Sequence, residues 1–146
     1  MTNNRPILLA DDSPDDQVLM LRALKKKNIT NPVVIANDGV EALDYLLGTG
    51  SRAGQEPLRP SVVLLDMKMP KLGGLDVLER MRREPSIKHI PVVILTSSDE
   101  EQDKMNSYEL GANSFVRKPV DFNEFAEAMG KLGMYWILVN EAPPNV

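Results

Sequence analysis

Asp11 and Asp12 directly follow the apolar run Ile7–Ala10, and Asp66 directly follows Val62–Leu65. Thr96 ends the run Val92–Leu95, and Lys118-Pro119 comes just after Ser114–Val116. A single Asp in such a place is normally a turn or cap residue. Three acids brought to one edge repel each other unless a cation or a proton intervenes. A hard oxygen site with few protein ligands and several waters suits Mg²⁺. A hydroxyl such as Thr96 can donate to a phosphoryl oxygen, and an ammonium such as Lys118 can offset the charge of a phosphoryl anion. Taken alone, Lys118 reads as a solvated surface lysine and Thr96 as a strand-end cap. Together, a metal, an ammonium and a hydroxyl around a free carboxylate form an inventory for phosphoryl transfer to that carboxylate.

The elements that must position these groups alternate regularly. Ile7–Ala10, Val33–Ala36, Val62–Leu65, Val92–Leu95 and Ser114–Val116 read as strands. Most are continuous Val/Ile/Leu runs, as expected of parallel strands buried on both faces. Helix starts lie between them. Ser13-Pro14-Asp15-Asp16 offers an N-cap serine, proline at the first helical position and an acid three residues on. Asp38-Gly39-Val40-Glu41, Ser98-Asp99-Glu100-Glu101 and Asp121-Phe122-Asn123-Glu124 repeat the capping logic. The helix around Leu75, Leu78 and Met81 shows no such cap, only Gly73-Gly74, and must stop near Pro85. Strand and helix repeated five times predict a doubly wound, five-stranded parallel α/β sheet with right-handed crossovers. In such folds the functional site lies outside the carboxyl ends of the strands, where the strand order reverses. Residues 48–60, with Gly48, Gly50, Gly54, Pro57 and Pro60, read as a long exposed loop.

The 146 residues suit one domain, with a core over about residues 5–139, a tail at 140–146 and no output domain. The chain is 42% apolar and 26% charged, with net charge −4 and a pI near 5.0. That balance gives no global attraction to nucleic acid or anionic membrane. No apolar run approaches the ~20 residues of a membrane helix, and the start carries no signal-peptide pattern. A cytoplasmic protein is the expectation. The absence of cysteine excludes disulfides and thiolate chemistry.

The segments ILLADDSPDD, VVLLDMKMPKLGGLDVL, VVILTSS and FVRKP, in that order, resemble the receiver domain of bacterial two-component response regulators. The resemblance implies that Asp66 is the phosphorylated nucleophile. It implies that Asp12 holds Mg²⁺, that Asp11 assists, and that the backbone carbonyl of Lys68 completes the metal site. Lys118 would contact the phosphoryl group, Thr96 would move towards it, and Phe115 takes the aromatic switch position. The peptide bond before Pro119 would be cis, which would aim Lys118 into the site. The loop over residues 48–60 and the ending LGMYWILVNEAPP are further similar to small regulators paired with phytochrome-type histidine kinases.

The resemblance thus implies a signalling protein rather than an enzyme acting on other substrates. A histidine kinase phosphohistidine would be the phosphoryl donor, and an unassigned downstream or phosphotransfer protein the recipient of the signal. His89, the only histidine, reads as a solvated loop residue without a catalytic role. Three other readings compete. A haloacid-dehalogenase-type phosphatase wants a second acid two residues after its nucleophile, where this chain has Lys68. A flavodoxin-like cofactor binder wants a hydroxyl- or glycine-rich loop where Asp11-Asp12 stand. A phosphorylation-independent adaptor would not need the five site residues, all of which are present. At helical spacing, Phe125, Met129, Leu132, Trp136 and Val139 share one face, and Met134, Ile137 and Leu138 fall roughly opposite. Those three predict a homodimer built partly from the last helix. Gly130 and Gly133 favour the alternative, a helix that breaks and a tail that folds back.

Overall fold

The computed structural model describes residues 5–26, 29–97, 106, 109–118 and 123. The strands are β1 (Ile7–Ala10), β2 (Val33–Ala36), β3 (Val62–Asp66), β4 (Val92–Thr96) and β5 (Ser114–Arg117). Among the described residues, the helices with full bounds between them are α1 (Pro14–Lys26), α2 (Gly39–Leu47) and α3 (Gly74–Arg83), with a 3-10 turn at Gly50–Arg52. The capping motifs expected at Ser98 and Asp121 and the expected dimer face of the last helix lie outside the described residues.

All five strands pair in parallel, in the order β2-β1-β3-β4-β5. This is the doubly wound parallel fold that the alternation predicts. β1 has β2 on one side and β3 on the other, so the order reverses between β1 and β3. Asp11 and Asp12 leave the first of these strands and Asp66 ends the second.

The period-two alternation of strand side chains divides the core into two layers. Leu8, Ala10, Val63, Leu65, Val92 and Ile94 face Ala42, Leu43 and Leu46 of α2 and Val77, Leu78 and Met81 of α3. Ile7, Leu9, Val62, Leu64, Val93 and Leu95 face the other way, onto Met20 and Leu24 of α1. β1, β3 and β4 are buried throughout, consistent with the apolar runs that make up all of β1 and all but the last residue of β3 and β4.

The helix ends explain how the chain enters and leaves the site edge. At α1 the Asp16 N–H donates to Ser13 Oγ at 3.3 Å. At α2 the Glu41 N–H donates to Asp38 Oδ1 at 2.7 Å, and Glu41 in turn accepts from Asn37 N–H at 3.1 Å. As expected, α3 starts from Gly73 without a side-chain N-cap; Asp76 nonetheless accepts the Gly73 N–H at 3.3 Å, half of a capping box. Glycine at the N-cap has no side chain for the other half. α3 ends at Arg83, with Glu84 extended (φ −95, ψ 113) ahead of Pro85, as expected.

Two glycines bring the loop after β3 close to its neighbours. A Cβ on Gly74 would lie 2.4 Å from the Asp66 carbonyl oxygen, and one on Gly39 would lie 2.2 Å from that of Leu72. Larger residues would push the loop away from β3 and α2. The loop over residues 48–60 is mostly exposed, as expected, yet it folds back on α2. Leu58 N–H donates to the Tyr45 carbonyl at 2.7 Å, and Leu58 packs on the core. Arg52 stacks 3.9 Å over the Tyr45 ring and donates to its hydroxyl.

Candidate functional site

The edge of the sheet at the β1/β3 reversal is acidic and partly open. Asp11 is only 1% exposed. Its Oδ1 accepts the Ser13 N–H at 2.9 Å, which turns the chain from β1 into α1. Asp12 points outward and is exposed. Asp66, the last residue of β3, is 8% exposed. One carboxylate oxygen from each of Asp11, Asp12 and Asp66 can be chosen so that all three lie within 4.8 Å of one another. Three hard oxygen donors at this spacing, with one exposed side for water, fit a small divalent cation.

Lys118 leaves β5 at the same edge, with its N–H on the Thr96 carbonyl at 2.6 Å. Its Nζ lies 2.7 Å from Asp11 Oδ2, 2.8 Å from Asp16 Oδ2 and 3.2 Å from Asp66 Oδ2. The four residues Asp11, Asp12, Asp66 and Lys118 singled out from sequence are therefore together. Thr96 is buried at the end of β4, with its hydroxyl 3.8 Å from Met67 Sδ, against the residue that follows Asp66. Phe115 is half-buried, pairs in register with Ile94 and packs on the α2/α3 layer of the core. The Lys68 side chain is exposed, while its backbone N–H donates to the Asp66 carboxylate.

Asp16 is the residue that sequence reasoning missed as a site group, because it reads as a capping acid. The geometry of α1 held the signal. The helix begins four residues after β1, and side chains of a first turn tilt back towards the helix N-terminus. Here that direction is the site.

Burial pushes the Asp66 carboxyl up, to about 6. The charge of Lys118 pulls it down and that of Asp11 raises it further, while hydrogen bonds from Lys118 and the Lys68 backbone hold it back. Burial opposes the charge on Lys118 but is outweighed by hydrogen bonds to Asp11 and Asp16 and by the charges of Asp66 and Asp11, so its pKa is raised. The ammonium thus stays charged beside a carboxylate that its surroundings make reluctant to ionise. A nearby cation relieves that reluctance. Asp12→Ala is expected to weaken Mg²⁺ binding about tenfold, roughly 1.4 kcal/mol, measured by calorimetric titration of the unphosphorylated protein. Equal affinity in the two proteins would remove Asp12 from the metal set.

The Response regulator receiver domain model matches residues 7–130. Rcp1 of Synechocystis sp. is 34% identical over 131 residues, covering 90% of this chain and 88% of that protein. The structure of the bacteriophytochrome response regulator AtBRR is 55% identical, with a TM-score of 0.82 over 94% of this chain and 98% of that one. The phosphorylated cyanobacterial phytochrome response regulator RcpA is 31% identical, with a TM-score of 0.75 over 97% and 99% of the two chains. Rcp1 has also been solved in a Mn²⁺-bound form, with a TM-score of 0.76 over 96% of this chain and 99% of that one. A divalent cation is thus the cofactor to expect at the acid cluster. With a reversed sheet edge carrying three clustered acids and a lysine, and with relatives of this kind along nearly its whole length, the chain belongs to the response regulator receiver domain family, on the branch of the phytochrome response regulators.

Proposed function

We propose that this chain accepts a phosphoryl group on Asp66 from the phosphohistidine of a phytochrome-type histidine kinase, and signals by a change of shape. The observation that carries this reading is the Asp66 carboxylate at the β1/β3 reversal, 3.2 Å from the Lys118 ammonium and grouped with Asp11 and Asp12. An Asp66 oxygen attacks phosphorus in line, and the P–N bond breaks with its electron pair going to the imidazole. Lys118 stands where negative charge gathers on the transferring group and needs no reorganisation to meet it. Asp11, Asp12 and Asp66, with the Lys68 backbone carbonyl, would hold Mg²⁺. The ion would supply charge neutralisation at the phosphoryl oxygens. Hydrolysis by water later returns the carboxylate and inorganic phosphate.

Thr96 and Phe115 supply the response in this reading. They sit on adjacent strands, Thr96 near Asp66 and Phe115 half-buried beside it on the sheet. A drawn-in Thr96 hydroxyl leaves room for the Phe115 ring to turn. The surface around β5 then changes towards a downstream protein. The apolar Met134, Ile137 and Leu138 of the sequence support a homodimer in the same reading. The test is labelling with a small phosphodonor and Mg²⁺, followed by mapping of the acyl phosphate. Failure of Asp66 to take label ends the proposal.

The kinase must cover the mouth of the site, where Asp12 is exposed. Beside it, α1 leaves Val18 and Leu19 46% exposed and Leu21 37% exposed. These apolar side chains lie on the helix whose first turn carries Asp16 beside Lys118, so they support docking of the helix that carries the phosphohistidine. Burying one large aliphatic side chain contributes about 1.5–3 kcal/mol. Leu19→Glu is therefore expected to slow transfer from the kinase by about tenfold or more, while labelling by a small phosphodonor stays as in the unaltered protein. An equal loss with both donors would place the defect in the fold instead.

A further inference from the structure

We infer that Asp16 is a positioning residue for phosphoryl transfer, holding the Lys118 ammonium at ion-pair distance from Asp66. The inference rests on the reading of Asp66 as phosphoacceptor. An ammonium has three N–H donors and no acceptor. Around Lys118 three carboxylates stand at hydrogen-bond or ion-pair distance: Asp11 at 2.7 Å, Asp16 at 2.8 Å and Asp66 at 3.2 Å. Two donors are engaged in hydrogen bonds by Asp11 and Asp16, which keeps the ammonium charge at ion-pair distance from Asp66.

Asp11 and Asp16 are not equivalent partners. Asp11 belongs to the group of acids able to hold a cation, and its Oδ1 already accepts the Ser13 N–H. Asp16 is outside that group. Its backbone is tied at the start of α1 through its N–H to Ser13 Oγ, so its carboxylate projects from a rigid first turn. A lysine has a long flexible side chain whose ordering is entropically unfavourable. A fixed partner that does not take part in metal binding removes that disorder before the phosphoryl group arrives, which is the condition for effective electrostatic stabilisation of developing charge. Loss of Asp16 leaves the ammonium to swing between Asp11 and Asp66.

The competing role for an acid in a first turn is interaction with the helix dipole. That role alters the stability of α1 and does not act through Lys118. Four full-length proteins separate the two: wild type, Asp16→Asn, Lys118→Ala and the double variant. Acetyl phosphate is the donor and Mg²⁺ is saturating. Asp16→Asn is expected to lower the maximal rate of Asp66 labelling about tenfold, with the half-saturating donor concentration changed by about twofold or less. In the Lys118→Ala background, Asp16→Asn should change the rate no further. Asp16→Glu should recover part of the loss. Independently of labelling, the Lys118 ammonium resonance in nitrogen-15 NMR of the metal-free protein should be protected from exchange in wild type and lost in Asp16→Asn.

A labelled wild type with an unchanged Asp16→Asn rate overturns this inference and leaves the function standing. So does an equal fall in both backgrounds. A wild type that takes no label on Asp66 overturns the function, and this inference with it.

Discussion

Asp66→Asn protein is expected to take no acyl phosphate from acetyl phosphate, and in metal-free buffer at pH 7 to melt higher than the unaltered chain. The first result follows from removal of the attacking oxygen anion with little change of shape. The second follows from electrostatics. Burial raises the Asp66 carboxyl to about 6 from an ordinary 3.8, against the pull of Lys118. A folded value above the unfolded one means that the folded chain holds the proton more tightly. Stability is therefore fully present below about pH 4, falls as pH rises through the window up to about 6, and stays reduced at neutral pH. A shift of this size corresponds to a penalty on the order of 2–3 kcal/mol at pH 7. An amide in the same place carries no charge to desolvate. The expected gain is roughly 5 °C in Tm, shrinking to nothing by about pH 4. Mg²⁺ should raise the Tm of wild type more than that of the variant. A neutral-pH Tm equal to or below wild type in EDTA would show that the site tolerates the ionised carboxylate without strain. Robust label at another residue of the variant would remove Asp66 as acceptor.

The grouping of acids at strand ends also explains why the site was so legible. A lone acid at the end of an apolar strand is normally a turn or cap residue, but Asp11, Asp12 and Asp66 all occupy such places together. The strand pattern alone located the edge, and the reversal between β1 and β3 brought the three acids together. Strand ends were read one residue short, because β3, β4 and β5 run on into the polar Asp66, Thr96 and Arg117. Backbone pairing extends them, and hydropathy does not report backbone pairing. Asp16 was hidden for a different reason. Its sequence position matches a helix cap, and only the direction of the α1 axis decides that its carboxylate meets Lys118, 102 residues further on. The half capping box of α3 was hidden because a glycine N-cap leaves only the returning Asp76 to recognise. The folded-back loop after α2 depends on Tyr45 and Asp44 meeting Arg52, Thr49 and Ser51, contacts that loop composition does not encode. Groups placed by strand register were readable; groups placed by a helix axis or a loop return were not.

The same electrostatics make Lys118 the residue whose loss the fold should feel most. Its ammonium is the only cation shown within ion-pairing distance of Asp11 and Asp66 among the described residues. Both acids are nearly buried, and Asp16 adds a third negative charge from the α1 side. Removing one partner of a buried ion pair leaves an uncompensated charge and costs about 3–5 kcal/mol. Two effects soften that figure here. Asp16 is partly solvated, with its side chain 38% exposed. Asp66, relieved of the charge that holds its pKa down, can also take up a proton. We therefore expect Lys118→Ala to lose about 3 kcal/mol in EDTA at pH 7.5, and markedly less at pH 5.5, where Asp66 is largely protonated in the folded chain. The contribution of Lys118 is thus lost as pH falls, as for any salt-bridged carboxylate, while the variant itself, with its Asp66 pKa raised further, gains stability as pH falls. Saturating Mg²⁺ should restore much of the loss at pH 7.5, because the cation supplies the charge that the lysine supplied. Phosphoryl transfer should remain slow even in the Mg²⁺-stabilised variant, since no N–H then meets the transferring group. Urea midpoints at the two pH values, with and without Mg²⁺, decide the matter. A variant as stable as wild type at pH 7.5 in EDTA, and indifferent to Mg²⁺, would mean that the three carboxylates do not repel across this edge.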